Sequence, residues 1–369
     1  MIYNSYTDRL KNILAESRSK TNLSKGFDNF SGAMLDPYKD KKKLIQEQRT
    51  FSNSMHLNAQ PLGSILNGEQ LRNAKLGHHP DFVRLKGTDE VEYHYIVSVF
   101  IDIQGSTNLH RKYELEDIFR ITNTIQSAAI HTCIALGGHI QRLQGDGVFA
   151  YFGGKAVDKN KAVEQAATAC SMFTYFVEND LKDIFLEDGI ENINTRIGID
   201  FGDDKDVQWA NFGLMDVSEL TTNSLHTSLA SKMQAYARRN GIVVGHNIKE
   251  WLKVDEEIFD LVRDSDGNVK KRYIFEIPDK NFRYTQYTFN WYKFLRTLPF
   301  VGTTADGKLY IIDKNEIERQ SRLRNSTSLL SSGAAYLSKT GTITSENTGT
   351  PHHQHRFHYG EQVLQNSKK

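Results

Sequence analysis

Two aspartates carry the chemistry that this sequence offers. Asp102 lies near the end of the apolar run YIVSVFIDIQGST, residues 95–107, and Asp146 lies within HIQRLQGDGVFAYFG, residues 139–153. The first run is made of β-formers and passes at once into a Gly-Ser-Thr turn, so it delivers a carboxylate to the end of a buried strand. In the second, two apolar segments meet at Gly145-Asp146-Gly147, the sequence of a tight hairpin with a carboxylate at its tip. Two carboxylates on adjacent strands are hard oxygen donors, a natural pair of ligands for a divalent cation.

The surrounding pattern supplies elements to position them. LEDIFRITNTIQSAAIHTCIALGG places Ile118, Ile121, Ile125, Ala129 and Cys133 at helical spacing and stops at Gly137-Gly138. A second helix is expected in KAVEQAATACSMFTYFVEN, with Val163, Ala166, Ala167, Cys170, Phe173 and Phe176 on its core face. NTRIGIDFGD and VQWANFG read as strands, and ELTTNSLHTSLASKMQAYARRNG as a helix reached through a Thr/Asn/Ser-rich loop and closed by Gly241. GIVVG, a short helix NIKEWL and a hairpin around residues 264–268 follow. Strands alternating with helices, but including hairpins, predict an α+β sheet with helices packed on it.

Composition bounds the rest. A chain of 369 residues accommodates one sizeable catalytic domain with additions, and 46 Lys+Arg against 45 Asp+Glu argue against a role in coating nucleic acid or an anionic membrane. Cys133 and Cys170 fall in helical segments as buried thiols, and no stretch approaches the roughly 20 apolar residues of a membrane span. With no leader-like N-terminus, a soluble protein of the reducing cytoplasm is expected. Residues 1–90 read as a partly helical extension, with Lys39–Lys43 as a solvated charge run. The aromatic segment 281–320 is expected to pack on the core or on a second subunit, and 321–369 to be disordered, its His352, His353, His355 and His358 incidental.

FIDIQGST, then QGDG, then GIDFG, in this order and spacing over residues 91–280, resemble the catalytic domain of class III nucleotidyl cyclases. The resemblance implies a ferredoxin-like, palm-type sheet and ring closure of a nucleoside triphosphate, in which the ribose 3′-hydroxyl attacks the α-phosphorus and diphosphate leaves. Such chemistry needs two divalent ions, Mg²⁺ or Mn²⁺, on Asp102 and Asp146, with the Ile103 carbonyl completing one shell. Gln104, Gly105, Ser106 and Thr107, at the turn into the long helix, would meet the phosphates with backbone N–H groups. LHTSLASKMQ is similar to the helix that supplies an Asn and an Arg to the transition state. It offers Ser228 and Lys232 at those positions, and Lys270, Lys271 or Arg272 stand where a terminal-phosphate lysine is common.

Base choice is where the chain departs from the purine cyclases. Four residues before Asp146 stands Arg142, in place of Lys or Glu, and Thr221 occupies the place of an Asp or Cys. Together with Tyr95, these residues are similar to the pyrimidine cyclases of bacterial Pycsar antiphage systems, which make cyclic UMP or cyclic CMP. The reading favours UTP, then CTP, then a purine, then a catalytically inactive cyclase fold that binds nucleotide. The resemblance further implies a homodimer with composite sites, the aspartates of one chain facing Lys232 of the other, and a separate effector that senses the product.

Overall fold

Branched side chains set the central strand. Val97, Val99, Ile101 and Ile103 alternate with Ser98, Phe100 and Asp102, and β-branched residues favour an extended backbone. In the computed structural model, which describes residues 3–26, 75–189, 193–264, 266–269, 275–277 and 282–312, that run belongs to a seven-stranded sheet.

In chain order the elements begin with α1 (Asn4–Gly26), β1 (Glu92–Tyr93), β2 (Ile96–Gln104) and α2 (Leu115–Ala135). The hairpin of β3 (Gly138–Gln144) and β4 (Gly147–Phe152) follows, then α3 (Lys159–Tyr175), which continues through a π-turn into α4 (Lys182–Glu187). β5 (Asn194–Gly202) leads to a second hairpin, β6 (Gln208–Leu214) and β7 (Val217–Asn223), and then to α5 (Leu225–Met233). Next come β8 (Gly241–Gly245), α6 (His246–Leu252), β9 (Phe259–Leu261), β10 (Phe275–Ile277) and β11 (Phe282–Tyr284). β12 (Gln286–Phe289), α7 (Trp291–Thr297), β13 (Val301–Thr303) and β14 (Leu309–Ile311) end the described chain.

The sheet runs β3-β4-β2-β5-β8-β12-β9 and is antiparallel except between β5 and β8. Its first part, β2-α2-β3-β4-α3-β5 with β5, β2, β4 and β3 side by side, is a ferredoxin-like βαββαβ unit. The fold is α+β, as expected.

The two faces of the sheet differ. α2 and α3 cover the face of Val97, Val99, Ile101, Phe152 and Ile199, and α1 packs on the outside of α2, where the Tyr3 and Thr132 hydroxyls meet at 2.8 Å. The other face carries Ser98, Phe100 and Asp102 of β2, opposite Asp200, Gly198 and Arg196 of β5. There α5 presses so close that a Cβ on Gly198 would lie 2.1 Å from the Ala230 carbonyl oxygen. The β6–β7 hairpin seals its upper part through Trp209 and Leu220, which pack with Phe82, Phe149 and Tyr151. Trp209 and Phe82 stack at 4.1 Å, worth about 0.5–1.5 kcal/mol beyond the area they bury. β2 is accordingly buried on both sides at its start, and from Phe100 onward only every second residue is. The end that carries Asp102 is the open end.

The structure corrects several expectations. Residues 217–223 form β7 rather than a loop, and α5 spans only Leu225–Met233 before a 3₁₀ turn, so the expected long helix to Gly241 is absent. The alternation Glu219, Thr221, Asn223 suits a strand in a hairpin with β6. The boundary at residue 280 falls inside the sheet, because β12 inserts between β8 and β9. Cys133 and Cys170 are buried and unpaired as disulfides, and burial pushes the Cys133 thiol up to about 12. No described helix is long and apolar enough to cross a membrane. Lys39–Lys43, Lys270, Lys271, Arg272 and residues 321–369 with their histidines lie outside the described residues.

Candidate active site

Asp102 projects from the last turns of β2 on the open face, where its direct neighbour on β5 is Arg196. The guanidinium donates from Nη2 to Asp102 Oδ2 at 2.7 Å, and both side chains are about a third exposed or less (26% and 30%). Asp146 is half-buried at the tip of the β3–β4 hairpin. Gly145 before it has φ of 62° while Asp146 does not have a positive φ, which is the pattern of a type II′ turn. That turn is fixed from behind by α2, where Gln126 Nε2 donates to the carbonyls of Gly145 (3.0 Å) and Gly147 (3.2 Å). The β2–β4 register ends at Ile101 opposite Val148, which leaves Asp102 and the Gly145-Asp146-Gly147 turn at the same end of the sheet. A side chain at 147 would crowd the Ile101 carbonyl at 3.0 Å, and glycine there lets the hairpin close on β2.

These residues fit a divalent cation. The donor set is two carboxylates and the Ile103 carbonyl, all hard oxygen, on adjacent strands. Among the described residues no cluster of three or more His, Cys, Asp and Glu side chains could hold a metal by itself. A cation on Asp102 and Asp146 would therefore need oxygens from a triphosphate and water, the usual habit of Mg²⁺.

Arg142 lies on the same sheet face, one strand further out. A bulge at Gln141 turns it to face Phe149 of β4, which stacks on Phe100 of β2 at 4.1 Å. Arg142 is paired with a residue the sequence did not point to, Glu219 of β7. Its Nε donates to Glu219 Oε1 at 3.0 Å and its Nη2 contacts Oε2. Gln141 Nε2 donates to the same Oε1 (2.9 Å) and to the Leu220 carbonyl (2.7 Å). Thr221, two residues along β7, meets the Tyr151 hydroxyl at 3.1 Å.

On α5 the inward face is His226, Thr227, Leu229, Ala230 and Met233, and the outward face is Leu225, Ser228 and Lys232. Ser224 caps the helix, accepting from the His226 N–H at 3.2 Å. Ser228 Oγ donates back to the Ser224 carbonyl at 3.1 Å, and Lys232 is exposed with no ion pair to a described residue. No hydrogen bond or ion pair among the described residues joins Ser228 or Lys232 to either aspartate.

The turn after β2 and Tyr95 differ from expectation. Gln104 ends β2, Gly105 turns at φ 91°, and Ser106–Arg111 form a 3₁₀ helix with Thr107 exposed, so residues 104–107 lead into that turn and not directly into the long helix, which begins at Leu115 as expected. Tyr95 stands at the opposite end of β2 from Asp102, only 4% exposed. Its hydroxyl donates to the carbonyls of Gly154 (3.2 Å) and Val157, and its ring lies under Lys159. The structure gives Tyr95 a bracing role and keeps it away from the carboxylates.

Arg196 and Glu219 escaped the sequence reading. A charged residue in the midst of NTRIGID was one signal, and Glu219 shares a strand face with Thr221 once ELTTN is taken with period two.

No protein-family model matches the chain. A cytidylate cyclase of Staphylococcus aureus is 35% identical over 327 residues, 82% of this chain and 77% of that protein. A cytidylate cyclase of Escherichia coli is 32% identical over 301 residues, 77% of this chain and 64% of that protein, so the chain spans less than two thirds of that relative. Among solved structures, the adenylyl cyclase CyaB from P. aeruginosa aligns with 54% of this chain and 95% of its own at a TM-score of 0.44 and 18% identity.

Proposed function

The chain belongs to the class III nucleotidyl cyclases, in the family that includes the cytidylate cyclases, and on that premise we propose that it converts CTP to 3′,5′-cyclic CMP and diphosphate. UTP, favoured by the sequence reading, gives way to CTP, because the relatives that match most of this chain carry the name cytidylate cyclase. What supports the chemistry is the placement of Asp102 and of the Asp146 turn at the same open end of the sheet, with Arg142 on the face of Asp102.

In the reaction the ribose 3′-oxygen bonds to the α-phosphorus, its proton passes to solvent, and the bond from the α-phosphorus to the bridging oxygen breaks with its electron pair on diphosphate. Asp102 and Asp146, with the Ile103 carbonyl, would hold the pair of Mg²⁺ or Mn²⁺ ions, which would make the 3′-hydroxyl acidic and offset triphosphate charge. Gln104, Gly105, Ser106 and Thr107 line the phosphates. Lys232 faces the charge that builds on the α-phosphate, and Ser228, one helical turn earlier, orients the ribose. Arg142 meets the base, with Thr221 beside it.

Among the described residues no hydrogen bond or ion pair joins Ser228 or Lys232 to Asp102 or Asp146, which supports a homodimer whose sites take residues from both copies. The β6–β7 hairpin supports the same assembly, since Leu214, Met215 and Val217 at its tip are 72%, 85% and 84% exposed. A diffusible cyclic nucleotide read by a separate effector, in defence against phage, completes the proposal.

The reaction is tested by incubating the protein with CTP and Mn²⁺ and identifying products by mass. Cyclic CMP and diphosphate in equal amounts are expected, and recovery of intact CTP, CDP or CMP alone would overturn the reading.

A further inference from the structure

We propose that Glu219 and Arg142 together select cytosine, with Glu219 accepting from the 4-amino group and Arg142 donating to N3 and O2; this rests on the reading that Arg142 meets the base. A guanidinium has five N–H donors in two forks. In this structure the fork of Nε and Nη2 is spent on Glu219, so the fork of Nη1 and the second Nη2 hydrogen has no partner among the described residues. Glu219 Oε2 lies against Nη2, the nitrogen that the two forks share. Gln141 holds Oε1 and the Leu220 carbonyl, so the carboxylate is set by the strand and not only by Arg142. Both side chains reach solvent, Arg142 at 50% and Glu219 at 29% exposure.

The pair thus presents one acceptor followed by two donors. The cytosine edge, read from position 4 to position 2, is a donor, an acceptor and an acceptor. Uracil reads acceptor, donor, acceptor: its O4 would face the Glu219 carboxylate and its N3–H would face a donor. Guanine reads acceptor, donor, donor, and adenine offers a donor and one acceptor with nothing at the third place. Cytosine is the one base of the four that satisfies all three groups, and a site built to hydrogen-bond a substrate discriminates against a base that leaves those groups unpaired once the bound base covers them.

The test is the ratio of kcat/KM for CTP over UTP, measured with Mn²⁺ on the full chain for wild type and Glu219→Gln. An amide at 219 can donate to O4, so the ratio is expected to fall by at least about tenfold, with turnover of UTP kept or raised. If Glu219 only braced Arg142, both substrates would decline together and the ratio would stand, and that result overturns the proposal. Glu219→Asp keeps the charge but withdraws the carboxylate by one methylene. It is expected to lower the ratio in the same direction and serves as the second reading if the Gln variant folds poorly. A wild type that makes cyclic CMP, with an unchanged ratio in both variants, rejects Glu219 alone. A wild type that makes no cyclic CMP rejects the proposed function, and the role of Glu219 with it.

Discussion

At the scale of single residues, Asp102 is held by a resident guanidinium, that of Arg196, and would have to share its carboxylate with the cations of the proposed reaction. Its pair with Arg196 is partly exposed, and ion pairs of that kind contribute about 1 kcal/mol or less. A divalent ion with triphosphate oxygens around it would outweigh such a contact, so in the proposed reaction Arg196 would fix the carboxylate without withholding it. Replacing Asp102 or Asp146 by Asn is expected to lower kcat/KM by at least about 10³-fold, the rate equivalent of the several kcal/mol that cation-assisted charge stabilisation supplies. Melting temperatures should change little, because neither side chain is in the core; a variant that keeps more than a tenth of wild-type activity would contradict the assignment. Asp102, Ile103, Asp146 and Arg142 were legible in the sequence because each belongs to a short contiguous pattern. Arg196 and Glu219 were not, because what they touch is decided by cross-strand register between segments far apart in the chain.

At the scale of elements, the strands and helices around the aspartates were legible from hydrophobic period, while β7 and the end of α5 were not. Thr221, Thr222 and Asn223 compete locally as loop formers, and only the tertiary pairing with β6, together with the Tyr151 hydroxyl on Thr222 at 2.8 Å, makes them a strand. What holds α5 to the sheet is a buried polar group that hydrophobic period does not reveal. Asp200 of β5 accepts from His226 Nδ1 (2.9 Å), from the Tyr284 hydroxyl (2.7 Å) and from the Phe201 N–H (2.9 Å). Burial works to lower the His226 pKa, but the charge and hydrogen bond of Asp200, aided by Asp206 and Asp203, prevail and hold it above its ordinary value. A histidine raised in the folded state contributes stability that is fully present below its unfolded pKa, near 6.5, and is lost as pH rises through the folded pKa. The stability of wild type relative to His226→Asn, measured by urea denaturation across this range, should therefore be greatest below about pH 6.5 and shrink at higher pH. A difference that does not vary with pH would show that folding leaves the imidazole pKa unchanged, and one that grows with pH would show that the folded imidazole is held neutral; either result would contradict the assignment.

At the scale of the whole molecule, one chain places its aspartates at the open end of the sheet and Lys232 on the outward face of α5, and leaves an apolar hairpin tip exposed. Two copies that exchange these parts would form two composite sites. Mixing an Asp102→Ala chain with a Lys232→Ala chain should restore activity at one site of each heterodimer, toward about a quarter of wild type for random assembly of active-site halves. No recovery above the separate variants would mean that each chain completes its own site. The central claim, that this scaffold is a cyclase for cytosine nucleotides, is tested most directly by competition, because product ratios from mixed substrates report the ratios of kcat/KM. Wild-type protein given Mn²⁺ and equal concentrations of CTP, UTP, ATP and GTP in one reaction should yield cyclic CMP as the dominant product by mass spectrometry. Cyclic UMP or a cyclic purine nucleotide in excess of cyclic CMP would contradict the account.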